Sequence, residues 1–212
     1  NHMWLIIAIV ILFVGFPKIY ADLSNYLHIP LVIMLLGIIA RGTSFTFRNY
    51  DVIKDRWHKL YTYIFTFSSL ITPLFLGIIA AATVSGSIDT ESKDFLTAYI
   101  YSWLTWFNIS VGIFTVSICG FLASIYTIYT VDDRDEAKFL RIRANKFTYA
   151  IFITGGLVFL ISFWKNVPLI DWIFSHWIGY LSVSLATISI IFLTQALKRE
   201  QDVLIRILAG FI

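Results

Sequence analysis

Long uncharged apolar stretches, separated by short polar connections, set the pattern of this chain. Six of them reach or approach the roughly 20 apolar residues that a helix needs to cross a bilayer core: Met3–Tyr20, Leu23–Ala40, Leu60–Val84, Tyr99–Thr130, Phe147–Trp164 and Trp177–Leu197. They predict an all-α, polytopic membrane helix bundle of six transmembrane helices, with residues 1–212 forming a single integral membrane domain. The fourth stretch is too long for a perpendicular span. It tilts, or it opens with an interfacial turn carrying Tyr99, Tyr101, Trp103 and Trp106. The first lacks the basic n-region and small-residue cleavage site of a signal peptide, so it counts as a true span.

The charges between the stretches predict orientation, because Lys and Arg are retained on the cytoplasmic side. Arg41, Arg48, Lys54, Arg56 and Lys59 follow the second stretch, and Arg134, Lys138, Arg141, Arg143 and Lys146 follow the fourth. Lys198, Arg199 and Arg206 follow the sixth, so 13 of the 16 basic residues fall in these three places. The alternate connections hold only Lys18, Lys93 and Lys165, and acidic Asp89, Glu91 and Asp94 surround Lys93. Both ends of the chain are therefore expected in the cytoplasm. Trp103, Trp106, Trp164, Trp172 and Trp177 would mark the outer interface as an aromatic belt.

Composition narrows the function classes. Hydrophobic residues make up 58% of the chain and mean hydropathy is +0.80, while charged residues are only 14% against about 25% in soluble domains. A net charge of +3, without a basic tract interleaved with aromatics, gives no reason to expect a nucleic-acid partner. The single Cys119 excludes an intrachain disulfide and any multi-cysteine metal site. His2, His28, His58 and His176 are scattered and predict no metal or haem ligand set, and no catalytic grouping occurs. Asn108-Ile-Ser110 matches a glycosylation sequon but lies inside a span.

The third to sixth stretches contain no Asp, Glu, Lys, Arg or His. Proton and ion pathways in membranes are usually marked by such residues. A small polytopic transporter or channel is thus the weaker alternative, hinted at only by Pro30 and Pro73. Pro73 should kink the third span, with Ser68, Ser69 or Thr72 available to the freed backbone groups. Gly77-x-x-x-Ala81 and Gly120-x-x-x-Ser124 predict close helix packing.

Arg41-Gly-Thr-Ser-Phe-Thr-Phe-Arg48, placed where the second stretch ends, resembles the signature of subunit II of the cytochrome bd-type quinol oxidases. Asn1-His-Met-Trp-Leu5 is similar to the start of that family's second helix, and Phe16-Pro-x-x-Tyr20 to its end. Ser69-x-x-x-Pro73-x-x-x-Gly77 followed by Gly86 resembles the fourth helix and its exit. Gly120-Phe-Leu-Ala, with Arg141 and Arg143 beyond it, resembles the fifth helix and the basic segment after it. The cyanide-insensitive, bd-like branch fits the same residues.

The resemblance implies part of two four-helix bundles, and an internal stretch of a longer family member. It implies a haem-free subunit in the bacterial cytoplasmic (inner) membrane. This chain itself would bind no cofactor and contribute no catalytic residue. Haem b, with haem d or a further b-type haem, would sit in the partner, a haem-bearing subunit I. Quinol and O2 would be reached through the complex, and lipid would cover the rest. By the same resemblance Arg41 is a charge partner for an acid upstream of Asn1, Trp4 lies near the subunit contact or an oxygen route, and Arg48 is an interfacial anchor.

Overall fold

The structure is a computed structural model that describes residues 2–50, 56–88, 94–128, 130–131, 133–165 and 167–198. Every regular element among them is helical. Backbone contacts gather into two compact units, residues 1–112 and 113–212.

The first unit opens with α1 (His2–Gly15) and α2 (Pro17–Tyr26). The expected first span is therefore divided. Pro17 stands at the first position of α2, where its missing N–H costs nothing and its fixed φ suits a helix start. Phe16, at φ −135° and ψ 59°, turns the chain between the two. At 14 residues α1 is about 21 Å long, short of the roughly 30 Å hydrocarbon core. Buried Leu27 joins α2 to α3 (His28–Tyr50), which starts five residues later than the second expected span. Pro30 falls in the first turn of α3, where a helix tolerates it.

The far end of α3 departs further from expectation. Arg41–Arg48 was expected in a connection, yet it forms the last turns of the helix. The hydroxyls of Thr43, Ser44 and Thr46 donate to carbonyls three or four residues back within α3, so the polar side chains add no competing turn. Then α4 (Arg56–Ser85) runs back along α3 with Pro73 inside it. Ser68 and Ser69 donate to Phe65 O and Thr72 to Ser68 O. None of these bonds goes to the Ser69 carbonyl, the one that Pro73 leaves without an amide donor.

The expected fourth span opens with an interfacial turn rather than as one tilted rod. Thr97–Tyr101 forms a π-helical turn, and α5 (Trp106–Ile128) begins after a break at residues 102–105. Leu27, Ile78, Ala82 and Trp103 are the buried centre of this unit.

In the second unit, the end of α5 packs on α6 (Arg134–Trp164) around Phe121, Ile125, Ala144 and Ile151. A Cβ at Gly120 would sit 2.5 Å from the Phe147 ring, so the glycine makes room for that ring, as the small-residue pattern anticipated. α6 begins 13 residues before the expected fifth span. Asp133 caps it by accepting from Asp135 N at 3.0 Å, and Asp135 and Glu136 oppose the positive end of its dipole. Short α7 (Leu169–Phe174) leads to α8 (Trp177–Lys198).

Four helical stretches are long and apolar enough to cross a membrane: His28–Tyr50, Trp57–Ser85, Thr97–Ile128 and Asp135–Trp164. Trp177–Ser189 is a shorter apolar stretch. The fold among the described residues is thus an all-helical, multi-pass architecture with four candidate spans.

Candidate functional site

Two basic residues of α3 converge on one ring of α4. Arg41 and Arg48 are seven residues apart, which is two helical turns, so they share a face. Their guanidinium carbons lie 5.6 and 5.7 Å from the centroid of Phe65, inside the roughly 6 Å at which a ring face attracts a cation. Phe45 lies beside the same ring at 6.3 Å, and Phe47 stacks on Tyr61 at 5.7 Å.

Close approach of the two helices produces this arrangement. A Cβ on Gly37 would come within 2.8 Å of Thr72 Oγ1, so only glycine lets α3 sit so near α4 there. Ser44 and Ser68 are buried and keep the seam narrow. The Phe65 carbonyl accepts hydroxyls from Ser68 at 3.1 Å and Ser69 at 2.6 Å. Neither α3 nor α4 contains an Asp or Glu. Among the described residues no carboxylate pairs with Arg41 or Arg48. His58, on the same face of α4 seven residues before Phe65, has a buried Nδ1 without a hydrogen-bond partner.

Trp4 lies in the first turns of α1, and its side chain falls outside the described residues. The structure thus brings Arg41 and Arg48 together and does not describe Trp4 beside them. His28 is exposed, with Nδ1 2.7 Å from Asn25 O and its ring edge-on to Tyr99 at 5.4 Å. His176 bonds Ser175 Oγ through Nδ1 at 2.8 Å. No described group of three or more His, Cys, Asp or Glu is placed to hold a metal ion.

A second polar centre went unread in the sequence. Asn108 is fully buried; its amide donates to Trp103 O at 3.1 Å and to Ser87 Oγ at 3.4 Å, and its Oδ1 accepts from Ser85 Oγ at 3.4 Å. Ser87 in turn donates to Ser102 O at 2.6 Å. The network ties the turn after α4, where Gly86 has φ +64°, to the start of α5. The available signal was an amide within an apolar stretch, which must find partners when buried.

The comparisons point one way. Residues 1–212 match the family described as cytochrome bd terminal oxidase subunit II. The cytochrome bd ubiquinol oxidase subunit 2 of Bacillus subtilis (strain 168) is 29% identical over 162 residues, covering 76% of this chain and 44% of the relative. The cytochrome bd-I ubiquinol oxidase subunit 2 of Escherichia coli (strain K12) is 22% identical over 121 residues, covering 56% of this chain and 32% of the relative. The chain thus spans less than half the length of the curated relatives it matches.

Proposed function

The chain belongs to the cytochrome bd terminal oxidase subunit II family, and from that premise we propose that it serves as the haem-free subunit II of a bd-type quinol:O2 oxidoreductase. The observation that carries this reading is the family match over residues 1–212. In it the protein is a multi-pass component of a bacterial cytoplasmic membrane and stabilises a haem-bearing subunit I. Six spans with both ends of this stretch cytoplasmic remain the topology that the distribution of Lys and Arg supports. In that topology α1 and α2 cross the bilayer as a broken pair.

The donor set in hand does not suit a haem. His28 and His176 each already engage Nδ1 in a local hydrogen bond, and the apolar parts of α4, α5, α6 and α8 carry no histidine. The haems are accordingly assigned to the partner subunit, and no step is drawn through them here.

Arg41 is the residue of this chain assigned to proton access. Its guanidinium rests on a ring rather than on a carboxylate, which leaves its N–H groups for an acid elsewhere in the assembly. A positive charge beside a carboxylate lowers that acid's pKa by about 1–3 units and keeps it able to relay protons at neutral pH. Trp4 is assigned to the subunit contact, along an apolar route for O2. In the full-length complex, Arg41→Leu should lower oxygen consumption about tenfold, the equivalent of one pKa unit, with haem content retained. Turnover equal to wild type in that variant would reduce Arg41 to a membrane anchor.

A further inference from the structure

The geometry points to an acidic-phospholipid seat at the end of the α3–α4 hairpin, with Arg48 and Arg41 taking the lipid phosphate over the ring of Phe65. The proposal needs only that the hairpin sits in a membrane, so it stands apart from the oxidase assignment. Four observations carry it.

First, two guanidinium groups approach one ring, at 5.6 and 5.7 Å, with no carboxylate paired to either among the described residues. Like charges gathered in this way call for an anion, and the planar fork of each guanidinium suits two phosphate oxygens. Second, α4 has no acidic residue in its first turn, so the positive end of its dipole is not offset by a side chain there. Third, His58 presents a buried, unpartnered Nδ1 on the face of α4 that carries Tyr61 and Phe65. Fourth, the surface deeper along α3 is apolar and exposed, through Leu35, Leu36, Ile38 and Ile39. A headgroup over the arginines would lay its acyl chains on that surface, and the Phe47–Tyr61 stack would border the headgroup.

This combination favours a lipid phosphate over a protein carboxylate. Acyl chains need the apolar strip below the charges, whereas a carboxylate does not. A net-anionic headgroup fits better than a zwitterionic one, because choline would return a positive charge to a site that already has two.

The test uses the full-length protein in its native assembly, washed of loosely held lipid and placed in phosphatidylcholine nanodiscs. Spin-labelled phosphatidylglycerol is the probe, and its motionally restricted fraction reports binding. Wild type should hold it in preference to spin-labelled phosphatidylcholine, and raised salt should weaken that preference. Arg48→Gln should reduce the preference about fivefold and Arg48→Lys, which keeps the charge but loses the fork, about twofold. The melting temperature of each variant should stay at the wild-type value. Equal preference in wild type and Arg48→Gln overturns the proposal. So does displacement of the label by millimolar inorganic phosphate, which would mean a free-anion site. So does loss of another subunit from Arg48→Gln with lipid binding unchanged, which would mean that a protein carboxylate occupies the arginines.

Discussion

Phe65 attracts two cations and supplies no counter-charge, so the chemistry of the α3–α4 seam is set by what else reaches Arg41 and Arg48. A cation on an exposed ring gains only about 0.5–1 kcal/mol. That is enough to hold a guanidinium in place and too little to satisfy it. The sequence announced both arginines, because their spacing and place after an apolar stretch stood out. It did not announce Phe65, one of 19 phenylalanines, since only the approach of two helices at Gly37 and Thr72 brings its ring beneath them. Asn108 was obscured for a different reason, as a single polar residue in an apolar run has no spacing to betray it. Its role is nonetheless testable. Asn108→Leu would strand the hydroxyls of Ser85 and Ser87 and the Trp103 carbonyl in a buried place. The expected cost is about 1–3 kcal/mol, visible as a lower thermal midpoint in detergent, and an unchanged midpoint would mean that the network holds nothing.

At the scale of elements, hydropathy located the apolar middles and misplaced the ends. It could not place them, because helix ends depend on caps and local hydrogen bonds rather than on burial. α6 shows this best. Its first turns are charged, and the Asp133 cap with Asp135 and Glu136 makes them helical long before the apolar part begins. Asp133→Ala should therefore cost about 1 kcal/mol and speed amide exchange in the first turn of α6 alone. Exchange unchanged there would show that the basic segment needs no cap. The first expected span failed for the opposite reason. Its apolar run is continuous, and only Pro17 reveals that the helix restarts at that point. The packing glycine was easier to read. Gly120→Val would drive a side chain into the Phe147 ring, at an expected cost of about 1–3 kcal/mol. Thermal unfolding measures it, and a midpoint equal to wild type would mean that the ring moves aside freely.

At the scale of the whole molecule, the membrane class was legible from composition and from uncharged runs, and the all-helical fold follows from it. A helix in lipid satisfies its own backbone, and an open sheet cannot. Function was legible only through the Arg-bracketed motif and its neighbours, because the rest of the chain carries no intramembrane charge from which chemistry could be argued. Exposed apolar side chains line α3, α4, α6 and α8, as expected for helices that lipid and a partner subunit both cover. That partner is the central claim. The direct test is a reduced-minus-oxidised absorption spectrum of the full-length protein, purified in mild detergent from its host membranes. The account predicts haem b bands, with or without a long-wavelength haem d band, in fixed ratio to this chain. A haem-free preparation with no larger partner would contradict it.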